Sequence, residues 1–369
     1  MDEAAAQLGA DPLELRRRNV LAREQLPYKS PTGSTFDSGD FRALIDRAET
    51  AADWRGFAAR REAAAQQGKL RGIGCAVFLE PSGGGAAPKD QIAIRFDRDG
   101  RANLYNVAGP SGQGHETIFA ELMAAWLGLD PARVIARVND PDAPPLIGNA
   151  AIGSRSTQSQ GGAFKLGSVE VIRKGMALAA EALECAAADL EFRDGRYVVK
   201  GTDRAITLAE LIDRHRADAQ HPLDTIAEQP AQRAFPSGAH IAEIEIDIET
   251  CAITVVRYTA VDDAGIVINP VLAEGQIHGA VAQGAGQVFG EQCVYDPATG
   301  QLVTGSFMDY VMPHADLIGE IRLGEHGVPS PTNALGAKGI GEAGTIGALP
   351  ACMNAVLDAL RRAGVTQFD

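Results

Sequence analysis

Glu342 stands in the run Gly339-Ile340-Gly341-Glu342-Ala343-Gly344. A carboxylate flanked by glycines sits where a backbone can come close to a ligand. Held in a dry pocket, such a group has a raised pKa and becomes a usable general base. A helix starting just after it acts in the opposite sense, because a helix N-terminus favours the charged form. A solvated loop glutamate is the other reading, and spacing alone leaves both open. The run also matches G-x-G-x-x-G in form. The segment before it, PSPTNALGAK, is no strand, so a nicotinamide-binding fingerprint is not expected.

Three more glycine-rich runs fall at predicted helix starts. Gly109-Pro110-Ser111-Gly112-Gln113-Gly114-His115-Glu116-Thr117 lies between a strand and a helix. It is either an anion-binding loop of free backbone N–H groups or a tight turn. It is no Walker A loop, since His115 stands where that motif has lysine. Gly153-Ser154-Arg155-Ser156-Thr157 precedes a long predicted helix. Its hydroxyls and guanidinium suit a phosphate, and a plain Ser/Thr N-cap is the alternative. Gly275-Gln276-Ile277-His278-Gly279 opens a helix that also carries Gly284 and Gly286, where small residues equally serve helix packing. None of the seven histidines stands at ligand spacing from another. Together these runs point to a large phosphorylated cofactor held mostly by loops and backbone, without metal ligation by side chains.

The elements that must position these runs alternate along the chain. Helices are predicted over 2–9, 12–18 and 40–65. Strands follow at 72–80, 91–96 and 102–107, the last two as a meander. A helix over 116–127, a strand over 133–138 and a loop over 140–155 lead to a long helix over 164–188. A short strand at 197–200 and a short helix at 208–214 come next. HIAEIEID and AITVVRYTAV alternate strictly, which predicts a half-exposed hairpin. A helix over 273–289 and a closing helix over 351–363 complete the pattern. The expected class is α+β (mixed α/β), with meandering sheets and inserted helices.

The balance of 34 Lys+Arg against 48 Asp+Glu, a net charge of −14, argues against nucleic acid or an anionic membrane as partner. No run of ~18 apolar residues is evident, so no membrane span is expected. Five cysteines without a C-x-x-C pattern do not support zinc ribbons or cysteine-ligated iron–sulfur clusters, and free thiols fit a cytoplasmic protein. The 41 glycines in 369 residues exceed the usual ~7 % share, in keeping with backbone-built loops.

The strings DPLELRRRN, SPTGSTFDSGD, SGQGHET, GSRS, AVDDAGIVINP, EGQIHGAVAQGAGQ, GSFMDYVMPHAD and PSPTNALGAKGIGEAGTIGALPA occur in one order along nearly the whole chain. In them the chain resembles the molybdenum-cofactor-binding subunit of the xanthine dehydrogenase / aldehyde oxidase / carbon monoxide dehydrogenase large-chain family. The resemblance implies a molybdenum hydroxylase that oxidises a small substrate (an aldehyde, an N-heterocycle or purine, or carbon monoxide) with oxygen from water. It implies a molybdenum–molybdopterin cofactor, in the cytosine dinucleotide form, whose metal is held by the pterin dithiolene rather than by the protein. Glu342 then falls on the family's general base. Gly112, Gln113, Gly114 and His115 fall on the pterin–phosphate contacts, and Ser154, Arg155 and Ser156 on the phosphate loop. Gly153 falls beside the metal and Gln276 near the dithiolene. Lys338, Gly339 and Gly341 shape the loop that presents Glu342.

Family members are about twice as long. Residues 1–69 match the tail of the first cofactor-binding domain and 70–369 the second. Gln367-Phe368-Asp369 stops where members continue. The expectation is therefore a C-terminal half: a split-gene product, a fragment or an isolated domain. Its implied partners are the complementary N-terminal half and separate iron–sulfur and flavin subunits carrying the clusters and FAD. A non-catalytic fragment or assembly module is the alternative.

Overall fold

The computed structural model describes residues 1–138 and 140–365. Gln367-Phe368-Asp369, and the expectation attached to them, lie outside the described residues. In chain order the helices are α1 (Asp2–Leu8), α2 (Pro12–Asn19), α3 (Phe41–Ala51), α4 (Phe57–Ala65), α5 (His115–Leu127), α6 (Gly162–Ala182), α7 (Leu208–His215), α8 (Pro270–Phe289) and α9 (Ala343–Arg362). The chain forms two compact units. The first comprises 1–81, 234–330 and 338–369; the second comprises 82–233 and 331–337. The division expected at residue 69 falls inside the first unit.

The first unit is built on a four-stranded sheet in the order Ile318–Glu325, Ile253–Asp263, Ser237–Asp247, Lys69–Leu79. The first pair is parallel and the others antiparallel. One face carries α8 and α9, through Ile277, Val281, Ala348, Ala351 and Ala355. The other face carries α2, α3 and α4, through Leu13, Leu44, Ile45 and Phe57. A Cβ on Gly74 would collide with the Ala351 carbonyl, so glycine lets α9 lie directly on the sheet.

This cover corrects the half-exposed hairpin. Ser237–Asp247 is buried along nearly its whole length because helices pack on both its faces. Its polar residues are paired inside instead. Glu243 takes Arg71 at 2.9 Å and also pairs with Arg60. His240 bridges Tyr258 at 2.8 Å and Asp262 at 3.0 Å. Alternation therefore marks ion pairs beneath helices, not water.

The closing helix also begins earlier than its composition predicts, at Ala343 rather than residue 351, and carries Pro350 inside it. Its small residues (AGTIGALPA) carry little apolar periodicity, so their pattern alone suggests a loop. An 18-residue stretch of the helix has a mean hydropathy of 1.3 and so matches a membrane span by length and composition alone, while 44 % of that stretch is buried within the protein. A core helix against a sheet satisfies the same pattern.

The second unit has a four-stranded sheet, Thr225–Pro230, Lys89–Phe96, Ala102–Asn106, Val134–Arg137, with α5 and α6 packed on it. Ile92, Ile94, Leu104, Phe119, Met123 and Phe164 form its buried interior. A small three-stranded sheet, Leu190–Arg193, Arg196–Val199 and Ala205–Thr207, leads into α7, which a Thr207/Glu210 capping box starts. The long helix ends at Ala182, earlier than predicted, and Leu190–Arg193 is a strand that the sequence pattern did not reveal. The class, mixed α/β with several sheets and inserted helices, is as expected.

Candidate functional site

In the first unit, register fixes where the chemistry gathers. Ser237 lies opposite both Leu79 and Asp263, and Asp262 lies opposite Glu325, so the four strands share one end. Glu80 follows the first of these strands. Asp263 ends another. Its Oδ1 accepts from Gly265 N and Val328 N, both at 2.9 Å, and its Oδ2 accepts from Lys338 Nζ at 2.7 Å. Lys338 Nζ also donates to the Ser38 carbonyl at 3.1 Å, and Lys338 N to the Ala264 carbonyl at 2.8 Å. The Lys338 charge is thus spent inside the protein. It ties the glycine-rich run to the strand end, with Gly339 buried and Gly341 half-buried.

Glu342 occupies the N-cap position of α9 and is exposed. Its carbonyl accepts from Ile346 N at 3.1 Å, while its side chain makes no capping bond. That side chain meets Glu80 instead. Glu80 is 8 % exposed and hydrogen-bonded to Glu342. Burial pushes the Glu80 carboxyl up to about 8, and the charge of Glu342 and the hydrogen bond to it add to the rise. Of the two settings that spacing leaves open for Glu342, the structure shows the exposed one, and the buried carboxyl is Glu80. Its only signal in the sequence was a charged residue closing the apolar strand GIGCAVFLE.

Gln276 lies one turn into α8, half-buried. A Cβ on Gly344 would stand 2.6 Å from the Ile277 carbonyl oxygen and 2.7 Å from Val281 N. Thr345 Oγ1 donates to the Ala280 carbonyl at 3.0 Å. These contacts seat the first turn of α9 on the turn of α8 that follows Gln276, and so fix the backbones of Gln276 and Glu342 together. Packing also explains Gly284, whose Cβ would reach Thr345 O at 2.8 Å. It does not explain Gly275 or Gly279, which have nothing within 4 Å of a would-be Cβ.

The second unit holds the other predicted loops. Gly112 and Gly114 have φ of 99° and 77°, and Gly114 caps α5 without help from a side chain. Gln113 Oε1 accepts from Ser111 N, folding the loop on itself. His115 is buried, its Nδ1 3.3 Å from the Ala108 carbonyl. Burial pulls its pKa down, so the ring is a neutral wall of a hollow shared with Tyr105, Val107, Glu116 and Phe119, not a cation for phosphate.

Gly153 and Ser154 are both left-handed, with φ of 70° and 51°. A serine there is strained, a feature that collects at functional loops. The chain then enters a π turn, Thr157–Gly161, before α6, and Ser156 makes no capping bond. The plain N-cap reading is therefore not what forms. Arg155 is turned inward, 2 % exposed and paired with Asp90, which also accepts from Gln160 Nε2 at 3.1 Å and Asn149 N at 2.9 Å. The guanidinium expected at a phosphate instead braces the loop from below. Among the described residues no three His, Cys, Asp or Glu side chains are grouped to hold a metal ion.

Residues 47–319 match the family model of the molybdopterin cofactor-binding domain. The chain is 31 % identical to the nicotine 6-hydroxylase large subunit of Paenarthrobacter nicotinovorans, covering all of this chain and 47 % of that one. It is 32 % identical to the carbon monoxide dehydrogenase large chain of Hydrogenophaga pseudoflava, covering all of this chain and 48 % of that one. Its fold superposes on quinoline 2-oxidoreductase from Pseudomonas putida 86 with a TM-score of 0.87 at 33 % identity, covering 99 % of this chain and 49 % of that one. The chain spans about half the length of the relatives it matches.

Proposed function

Because the chain belongs to the molybdopterin cofactor-binding family of the xanthine dehydrogenase and carbon monoxide dehydrogenase large chains, we propose that it is part of a molybdenum hydroxylase with Glu342 as the general base. The observation that carries the proposal is the setting of Glu342. It is an exposed carboxylate at a helix start, on a run anchored by the buried Lys338–Asp263 pair.

Each unit by itself carries open glycine backbone that suits part of a large phosphorylated pterin. Gly112, Gly114 and Gly153 adopt left-handed backbone, and no Cβ neighbour crowds Gly112, Gly153, Gly275 or Gly279. When bound, the cofactor supplies two-electron oxidation with oxygen drawn from water. The chain supplies the rest. Backbone amides around Gly112, Gln113 and Gly114, and the hydroxyls of Ser154 and Ser156, bind phosphate and pterin edges. Gly153 would hold the loop on the metal side of the bound cofactor, and the Gln276 carboxamide would offer it a hydrogen bond. His115 and Arg155 hold these loops from beneath. Glu342 removes a proton from the attacking oxygen, and its exposed position lets that proton leave to solvent.

The relatives' names place nicotine, carbon monoxide and quinoline among their substrates; for this chain the proposed substrate class is an aldehyde, an N-heterocycle or purine, or carbon monoxide. We further propose the cytosine dinucleotide form of the cofactor and a cytoplasmic location. The proposed partners are a complementary N-terminal half and separate iron–sulfur and flavin subunits.

Co-expression with the complementary half tests the proposal through molybdenum and cytidine phosphate content. Both are expected in the purified complex. A folded complex without molybdenum would overturn it in favour of a non-catalytic assembly module.

A further inference from the structure

We propose that Glu80 is a positioning residue for Glu342: a buried carboxylic acid that donates its O–H to the Glu342 carboxylate and holds it in one orientation. The inference rests on the general-base role of Glu342 and deepens it. Glu80 directly follows the strand Lys69–Leu79, and its backbone is pinned by Glu80 N donating to the Pro236 carbonyl at 3.0 Å. The residue is 8 % exposed, and its Oε2 is buried without a partner, so the contact to Glu342 falls to the other oxygen.

A hydrogen bond between two carboxyl groups needs one proton, because two carboxylates have only acceptors. Desolvation places that proton on the buried partner. Glu342 is the exposed partner, at the start of α9. Among the described groups at this end of the sheet, Lys338 pairs with Asp263, His240 bridges Asp262 and Tyr258, and Glu325 is exposed. The charge acting on Glu80 is therefore that of Glu342.

The proton count closes over one cycle. Glu342 accepts one proton from the attacking oxygen, both carboxyls are then neutral, and Glu342 releases one proton to solvent. Glu80 keeps its own throughout. What it contributes is a fixed direction for the accepting lone pair, which matters because misplacement of a base by about 1 Å can cost ~100-fold in rate.

The test is a 13C NMR titration of the full chain with labelled glutamate carboxyl carbons, alongside kinetics of the assembled enzyme. One glutamate is expected to titrate near pH 8. Its signal should vanish in Glu80→Gln, and its midpoint should move down towards the ordinary range in Glu342→Gln. In the assembled enzyme Glu80→Leu should lower kcat by roughly 10- to 100-fold with little change in KM, and Glu80→Gln, which keeps a donor, should restore most of it. If no glutamate titrates above the ordinary range, or Glu80→Gln leaves that signal in place, the pairing is overturned. Wild-type kcat and pH profile in Glu80→Leu overturn the positioning role. If Glu80→Leu does not fold, the Gln variants decide by titration. A fully active Glu342→Gln would sink the base role alone, leaving the carboxyl pair to be judged by the titration.

Discussion

The buried carboxyl of Glu80 is hydrogen-bonded to the exposed carboxylate of Glu342, across from the N-terminus of α9. Two glutamates far apart in the sequence thus meet as one buried and one exposed carboxyl. The exposed one is on the cofactor-family motif; the buried one is not.

This pair makes stability depend on pH. Burial first, then the charge of Glu342, raises Glu80 from 4.5 to about 8. The folded chain then holds that proton more tightly than the unfolded chain. The resulting stabilisation is complete below pH 4.5 and is lost as pH rises to about 8. The difference in melting temperature between wild type and Glu80→Gln should shrink or reverse in favour of the variant across that window. A difference that stays constant with pH would contradict the assignment.

Lys338→Met should be costly. It removes the partner of the fully buried Asp263 carboxyl, and removing one partner of a buried ion pair typically costs roughly 3–5 kcal/mol. The Lys338→Met/Asp263→Asn double variant should recover part of that loss. Urea denaturation midpoints measure both. Equal loss in the single and double variants would mean that the pair is not coupled as described.

Gly344→Val should push α9 away from α8, since even a Cβ there would meet the Ile277 carbonyl at 2.6 Å and Val281 N at 2.7 Å. Overpacking of this kind costs about 1–3 kcal/mol. Gly279→Ala, with nothing within 4 Å, should leave the stability of the isolated chain within about 0.5 kcal/mol of wild type or raise it slightly. Thermal unfolding of the two variants separates packing glycine from surface glycine. Equal destabilisation would contradict the division.

Much of the fold was legible in residue patterns. Asp11 before Pro12 caps α2 as its type predicts, accepting from Leu13 N at 2.8 Å and Glu14 N at 2.9 Å. The meander of Lys89–Phe96 and Ala102–Asn106 follows from its alternation and its turn. What failed did so for physical reasons. Glu243 looked solvent-facing because a local pattern cannot show the arginines that neutralise it under α3 and α4. The start of α9 was hidden because its glycines and alanines pack like a helix but read like a loop. Arg155 looked like a phosphate ligand until its tertiary partner Asp90 appeared. Glu80 carried no motif, and only the strand ends brought it to Glu342.

The most direct measurement is turnover and molybdenum content of Glu342→Gln in the enzyme assembled with its complementary half. Loss of a general base lowers kcat by about 100- to 10,000-fold while leaving the binding loops intact, so the variant should keep its molybdenum and lose turnover on that scale. A variant that retains molybdenum and turns over near the wild-type rate would contradict the account.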